Sequence, residues 1–129
     1  MTIIVAAAVI ERDDAFLLTR RQQGVHLEGL WEFPGGKCDE GESLESCLLR
    51  ELREELAVGA DVAGEIFAVT HRYPERQVEL HFFRCELRGD PVPQLGQEMR
   101  WVPRGELAGL DFPPADAELI AMLSRTAAR

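Results

Sequence analysis

Three observations predict a mixed α/β layered domain. Short apolar runs of strand character interleave with two helical stretches along the chain. The 129 residues suffice for one buried core and fit one domain. With 46% hydrophobic and 29% charged residues, the composition is that of a folded globular chain rather than a disordered or fibrous one. No internal repeat, low-complexity tract or linker divides the chain, so residues 1–129 read as a single domain.

The elements follow in order. "TIIVAAAVI" and "AFLLTR" flank the polar turn "ERDD" and read as a hairpin whose first strand is buried. "IIVAAAVI" is the longest apolar run and falls far short of the roughly 20 residues that cross a bilayer, so no membrane partner is expected. No cationic start precedes it and no cleavage-like segment follows, which leaves the cytoplasm as the expected location. A Gly- and Gln-containing loop runs through "RQQGVHLEGL", "WEFPGG" ends in turn residues, and Ser43 is placed to cap a helix from Leu44 to about Ala57. Strands are expected in "EIFAVTHRY" and in "QVELHFFRCEL", where Val78, Leu80 and Phe82 alternate. "RGDP" is a turn, "MRWV" a short strand, and "DFPPADAELIAMLSR" a loop entering a terminal helix with proline near its start.

Charge narrows the function classes. A formal net charge of −9 makes a poor partner for a nucleic-acid backbone, which needs lysines and arginines to displace counterions. A polyphosphate still binds if a divalent cation accompanies it. Cys38, Cys47 and Cys85 are an odd count at spacings of neither a disulfide framework nor a zinc site, and are expected to be packed or surface thiols. His26, His71 and His81 fit no metal spacing and take structural or surface roles, and Trp31 and Trp101 are assigned to packing.

"RELREEL" concentrates carboxylates where a helix is expected. Projected at about 100° per residue, Leu44, Leu48, Leu52 and Leu56 form one apolar stripe, and Glu51, Glu54 and Glu55 share an adjacent sector. Arg50 can pair with Glu54 at i, i+4 or reach Glu51. Two readings stand side by side: a solvated face laced with ion pairs, or a site for a hard divalent cation.

The segment before the helix decides between them. "GGKCDEGE" brings glycines, a lysine and Glu42 to the helix N-terminus, and Gly36, Glu42 and "RELREELAV" stand in the spacing of the Nudix box. One position departs, Ala57 standing where the box usually has glycine. The chain resembles the Nudix hydrolases and, through "TRR", "LWEFPGGK", "YPER" and "DFPPAD" in that order, their MutT-like branch.

That resemblance implies an α/β/α sandwich around a mixed β-sheet with the box as loop, helix and loop. It implies magnesium-dependent hydrolysis of nucleoside triphosphates to monophosphate and pyrophosphate, with manganese able to substitute. Glu51, Glu54 and Glu55, with the carbonyl of Gly35, match the metal ligands; Glu42 matches an outer carboxylate acting through water; Arg50 matches the residue that orients Glu51. Arg21 and Lys37 match phosphate contacts. Phe33, Tyr73 and Val78 match a base-side wall, with Arg76 near base or ribose. Leu95 stands where the family often has a glutamate base, leaving nearby Glu98 as a substitute or a surface residue. Asp116 stands where relatives that favour 8-oxoguanine have asparagine, and serves either as a base reader or as an N-cap. The partner is then a nucleotide, the chain a monomer or homodimer. Competing readings are a hydrolase of ADP-ribose or dinucleoside polyphosphates and a non-catalytic module that reads an oxidised base.

Overall fold

The computed structural model describes residues 1–24 and 28–125. His26 and its expected role lie outside them. In chain order the elements are β1 (Thr2–Arg12), β2 (Ala15–Arg20), β3 (Trp31–Glu32), β4 (Gly35–Lys37), α1 (Leu44–Leu56), β5 (Ala60–Arg72), β6 (Gln77–Leu87), β7 (Met99–Pro103), a 3-10 helix Arg104–Gly109, a 3-10 turn Pro114–Asp116 and α2 (Ala117–Arg125).

The expected hairpin forms. Glu11 pairs with Phe16 and Arg12 with Ala15. Only Asp13 and Asp14 lie between, both at positive φ (51° and 62°), which makes the primed two-residue turn that matches strand twist. One seven-stranded sheet runs β3-β2-β1-β6-β5, with β4 added on β1 and β7 on β2. β1 and β6 are parallel and the remaining pairs antiparallel, so the sheet is mixed as expected.

The unbroken apolar run of β1 has a physical cause, because the strand is covered on both faces. Alternation sends Ala6, Ala8 and Ile10 into a core shared with Leu48, Leu52 and Leu56 of α1. Ala7 and Val9 join the opposite core with Leu119, Ile120 and Leu123 of α2. Helix, sheet and helix therefore form three layers. The alanines keep the centre of β1 thin, and β4 lies close against it, with Ala6 opposite Gly36 and Ala7 opposite Gly35. A Cβ on Gly35 would stand 2.1 Å from the Ala6 carbonyl oxygen.

α1 begins where expected: the Ser43 hydroxyl accepts the Ser46 N–H at 3.1 Å. It ends on Ala57 in the left-handed region (φ 53°, ψ 39°), where the family's glycine would sit without strain. β5 starts earlier than the sequence suggests. Register shifts at Val62/Gly64 and Glu65/Phe67 break its alternation, so the pattern before Glu65 does not look like a strand. Arg104 is buried: it donates to Asp14 (2.8 Å), Glu11 (2.6 Å) and the Leu123 carbonyl (2.9 Å), tying the hairpin turn to α2.

The cysteine expectation is corrected. Cys38 and Cys47 form a disulfide with Cα atoms 5.2 Å apart, and only Cys85 is a free thiol among the described residues. Sequence spacing hid the pair, since the turn between β4 and α1 is what brings position 38 back against position 47. Trp31 and Trp101 pack as expected, each under arginine: Arg20 and Arg100 over Trp31, Arg12 over Trp101. His71 meets the Tyr73 ring edge-on, and His81 bridges Glu65 and Glu79 at 2.8 Å each, roles in keeping with structure rather than metal binding.

Candidate active site

A cleft of about 530 Å³ opens between β4, the N-terminal halves of β1 and β6, the β5–β6 turn and the Pro113–Asp116 segment. Its wall includes Arg21, Phe33, Gly35, Lys37, Glu51, Glu55, Tyr73, Arg76, Val78 and Asp116. Ten of the expected site residues thus converge from five separate stretches of chain. Four are not in its wall, Arg50 among them, standing behind Glu51. Glu54 projects outward from α1 to Arg50, Glu42 is held behind the cleft, and Glu98 lies in a second, more open hollow, paired with Arg20 at 3.4 Å.

The acidic end is built by α1. Glu51 and Glu55 are one turn apart and face the cleft together. Glu51 occupies the space that a Cβ on Gly36 would need, 2.2 Å from its Oε1, so glycine at 36 is what lets the carboxylate reach β4. Glu55 is pushed up to about 8, first by burial, then by the charges of Glu51 and Glu32, against a Gly35 N–H that donates to it. The Glu51 carboxylate beside it raises the cost of ionising Glu55, a cost that a cation between the two would offset.

Arg50 anchors this end from behind. Its Nε and Nη2 grip Glu42 at 2.7 and 2.9 Å, Nη1 holds Glu51 at 2.8 Å and Glu54 at 3.2 Å, and Nη2 donates to the Lys37 carbonyl at 3.1 Å. Glu42 also accepts the Asp39 N–H, and with Arg50 this holds its carboxyl down to about 2. The arginine therefore orients Glu51, as the resemblance implies. It also answers how carboxylates at such spacing are kept apart, since one guanidinium serves three of them.

The opposite end is apolar with one acid. Phe33 stacks on Phe112 with centroids 6.0 Å apart and meets Phe82 edge-on, and Val78 and Leu80 extend the wall. The YPER turn closes on itself through Tyr73 and Arg76 backbone bonds, which sets both side chains at the rim. Asp116 is 3% exposed and does not cap α2: its carboxyl faces the cleft without a hydrogen-bond partner among the described residues. Burial, then Glu32, pushes it up to about 7.

Glu32 was not anticipated from sequence. It lines the cleft between the two ends, donates nothing, accepts from Arg21 at 2.9 Å, and is itself raised by burial. A lone acid inside the apolar run "LWEFP" was the available signal.

Among the described residues no set of three or more His, Cys, Asp or Glu side chains is gathered closely enough to hold a metal ion. The tertiary structure turns Glu51 and Glu55 to the cleft and leaves Glu54 at its outside, paired with Arg50. The donor set at the cleft still fits a hard cation, with the half-buried carboxyls of Glu51 and Glu55 side by side and the Gly35 backbone next to them.

Comparison with known proteins agrees with this geometry. The NUDIX domain family matches residues 5–122. An 8-oxo-dGTP diphosphatase of Haemophilus influenzae is 38% identical over 121 residues, covering 92% of this chain and 89% of its own. A CTP pyrophosphohydrolase of Escherichia coli is 36% identical over 127 residues, covering 97% and 94%. The MutT protein of Methanosarcina mazei superposes with a TM-score of 0.85 at 25% identity over 99% of this chain and 96% of its own. The helix-borne carboxylates beside a glycine loop, the three-layer mixed fold and these likenesses together make the chain a MutT-like member of the Nudix hydrolase family.

Proposed function

We propose that the protein hydrolyses nucleoside triphosphates to the monophosphate and pyrophosphate with magnesium, acting on oxidised or otherwise modified nucleotides or on cytidine-type ones. The observation that carries this reading is the polarity of the cleft: carboxylates, Lys37 and Arg21 at one end, an aromatic wall with a single buried acid at the other. A nucleotide has the same polarity. The names of the relatives, 8-oxo-dGTP diphosphatase and CTP pyrophosphohydrolase, support the substrate class.

In this reading Glu51, Glu55 and the Gly35 carbonyl would hold the ion, with Glu54 joining from the rim. The bound ion would supply charge neutralisation and activation of water. Lys37 and Arg21 bind phosphate oxygens, the lysine as a point charge and the arginine as a fork. Arg50 keeps Glu51 aimed inward while Glu42 keeps Arg50 in place. Positioning and neutralisation are most of what phosphoryl transfer demands.

Asp116 reads the base edge. With its carboxyl pushed up to about 7, the neutral acid is populated near neutrality and both donates and accepts, as an asparagine amide does. That unites two chemistries in one pocket: the ionised form suits the exocyclic amine of cytosine, and the neutral form suits an edge that offers an acceptor beside a donor. The test is a panel of normal, methylated and oxidised nucleoside triphosphates with magnesium, scoring pyrophosphate against phosphate. Release of pyrophosphate from at least one is expected; none from any would overturn the reading and favour a base-binding module.

A further inference from the structure

We propose that Cys38 and Cys47 form a reversible oxidation site: closing the bond fixes the Gly35–Lys37 loop against α1, and opening it loosens that loop. The inference starts from what the bond joins. Cys38 follows β4 directly, Cys47 lies in the first turn of α1, and nine positions separate them. Cys47 Sγ is 3.8 Å from the Gly36 carbonyl oxygen, and the same glycine leaves the gap that the Glu51 carboxylate fills. Disulfide, glycine loop and carboxylate are therefore packed in one place. A small change in the loop–helix spacing there is felt by Glu51.

The two sulfurs differ in access. Cys38 is partly exposed and Cys47 fully buried, so an outside reagent meets Cys38 first. Cys47 is enclosed in the core beside the Gly36 carbonyl, so its partner in any exchange is Cys38 Sγ. The third cysteine stands aside: burial pushes the Cys85 thiol up to about 12, which keeps it protonated and unreactive. The loop has other anchors, with the Cys38 N–H on the Ile4 carbonyl at 2.8 Å and Arg50 on Lys37 and Glu42. Opening the bond relaxes the loop without unfolding the domain. In a reducing compartment such bonds are transient and regulatory rather than permanent.

The chemistry balances with a hydroperoxide as oxidant. The Cys38 thiolate attacks the peroxide oxygen, giving a sulfenic acid and releasing the alcohol, or water from hydrogen peroxide. The Cys47 thiolate then attacks Cys38 Sγ and the sulfenic hydroxyl leaves as water after taking a proton. Two thiols lose two electrons and two protons, and the peroxide accepts both. A dithiol reverses this: its thiolate attacks Cys38 Sγ, Cys47 leaves and is protonated, and the second thiol frees Cys38 as the reagent closes to its own disulfide.

The test uses the full chain treated with hydrogen peroxide or with dithiothreitol, then unfolded and alkylated. Intact mass should show one maleimide, on Cys85, after peroxide and three after dithiothreitol. Backbone amides of residues 36–43 should exchange with deuterium about ten-fold faster in the reduced form, part of what a short-loop cross-link restrains. Cys38→Ser should exchange like the reduced form whether or not peroxide is added. Three maleimides after peroxide, or equal exchange in both forms, would overturn the proposal. A further arm rests on the proposed function: the metal concentration for half-maximal hydrolysis should rise about ten-fold on reduction, the lower end of what lost support around a metal ligand costs. If neither form hydrolyses any nucleotide, that reading falls, while mass and exchange still decide the cysteine site.

Discussion

Two arginines, Arg50 and Arg104, are built alike and serve different ends. Each gathers carboxylates and one backbone carbonyl: Glu42, Glu51, Glu54 and Lys37, all nearby in sequence, for the first, and Glu11, Asp14 and Leu123, brought together by the fold, for the second. Arg104 also covers the Phe16 ring at 4.9 Å and is nearly sealed from water. Its acids do not line the cleft, Glu11 turning instead toward Arg84 at 3.7 Å, so the cluster fastens the β1–β2 turn to α2. Arg50 is half open, and one of its acids, Glu51, turns its other side to the cleft. The lesson is that the same ionic hub is structural where its partners stay clear of the cleft and functional where a partner lines it.

That contrast can be tested from its strongest consequence downward. Glu55 lies beside the Arg50 hub but outside its grip, with the Gly35 N–H set against the cost of its burial and the charge of Glu51 adding to it. Glu55→Gln should lower kcat/KM by about 10²–10⁴-fold, in pyrophosphate-release assays, while the thermal midpoint holds or rises because a buried repulsion is gone. A variant with near-normal activity would remove Glu55 from the machinery.

Arg104→Ala should act on the other side of the contrast. It removes the charged hydrogen bonds to Glu11, Asp14 and the Leu123 carbonyl and should cost about 2 kcal/mol by urea unfolding, with kcat unchanged at temperatures where the variant is folded. A large fall in kcat instead would mean the far hub is coupled to the cleft.

Arg50→Lys keeps the charge and loses the fork. We expect about 10–100-fold weaker dependence on metal and substrate, with a smaller change in stability than Arg104→Ala. Equal effects of both substitutions on both readouts would dissolve the distinction between the hubs.

The smallest effect concerns Asp116, a buried acid with no arginine at all. Its carboxyl titrates near 7 in the fold against 3.8 as the ordinary value. Between those values the unfolded chain ionises and the fold does not, so the group erodes stability as pH rises from about 4 to 7, and the loss persists above. Asp116→Asn should flatten that slope and gain stability relative to the wild type at pH 8, measured by thermal melts across pH. Its base preference should also stop changing between pH 6 and 8 on the nucleotide panel. Parallel pH profiles in both proteins would show that Asp116 is already ionised in the fold.

Much of this was legible in the chain. The continuous apolar run of β1, the two-aspartate turn, the Ser43 cap and the leucine stripe are local patterns, and each appears where local physics puts it. Glu51, Glu55 and Arg50 were legible because a helix converts sequence spacing into a shared face. Glu54 shows the limit of that reasoning, because spacing gives the sector but only the packing of α1 on β4 decides which acids look inward. Cys38 was misjudged for a related reason, its neighbour Cys47 being brought close by a loop whose course the spacing does not encode.

The sequence by itself determined the mixed α/β class, the carboxylate-bearing helix and its family, since periodicity, caps and the box spacing act over a few residues. Only the tertiary structure decided which carboxyls share the cleft, that Glu32 and Asp116 are buried there, and that Cys38 meets Cys47. Burial and through-space charge depend on segments far apart in the chain, and no local pattern carries them.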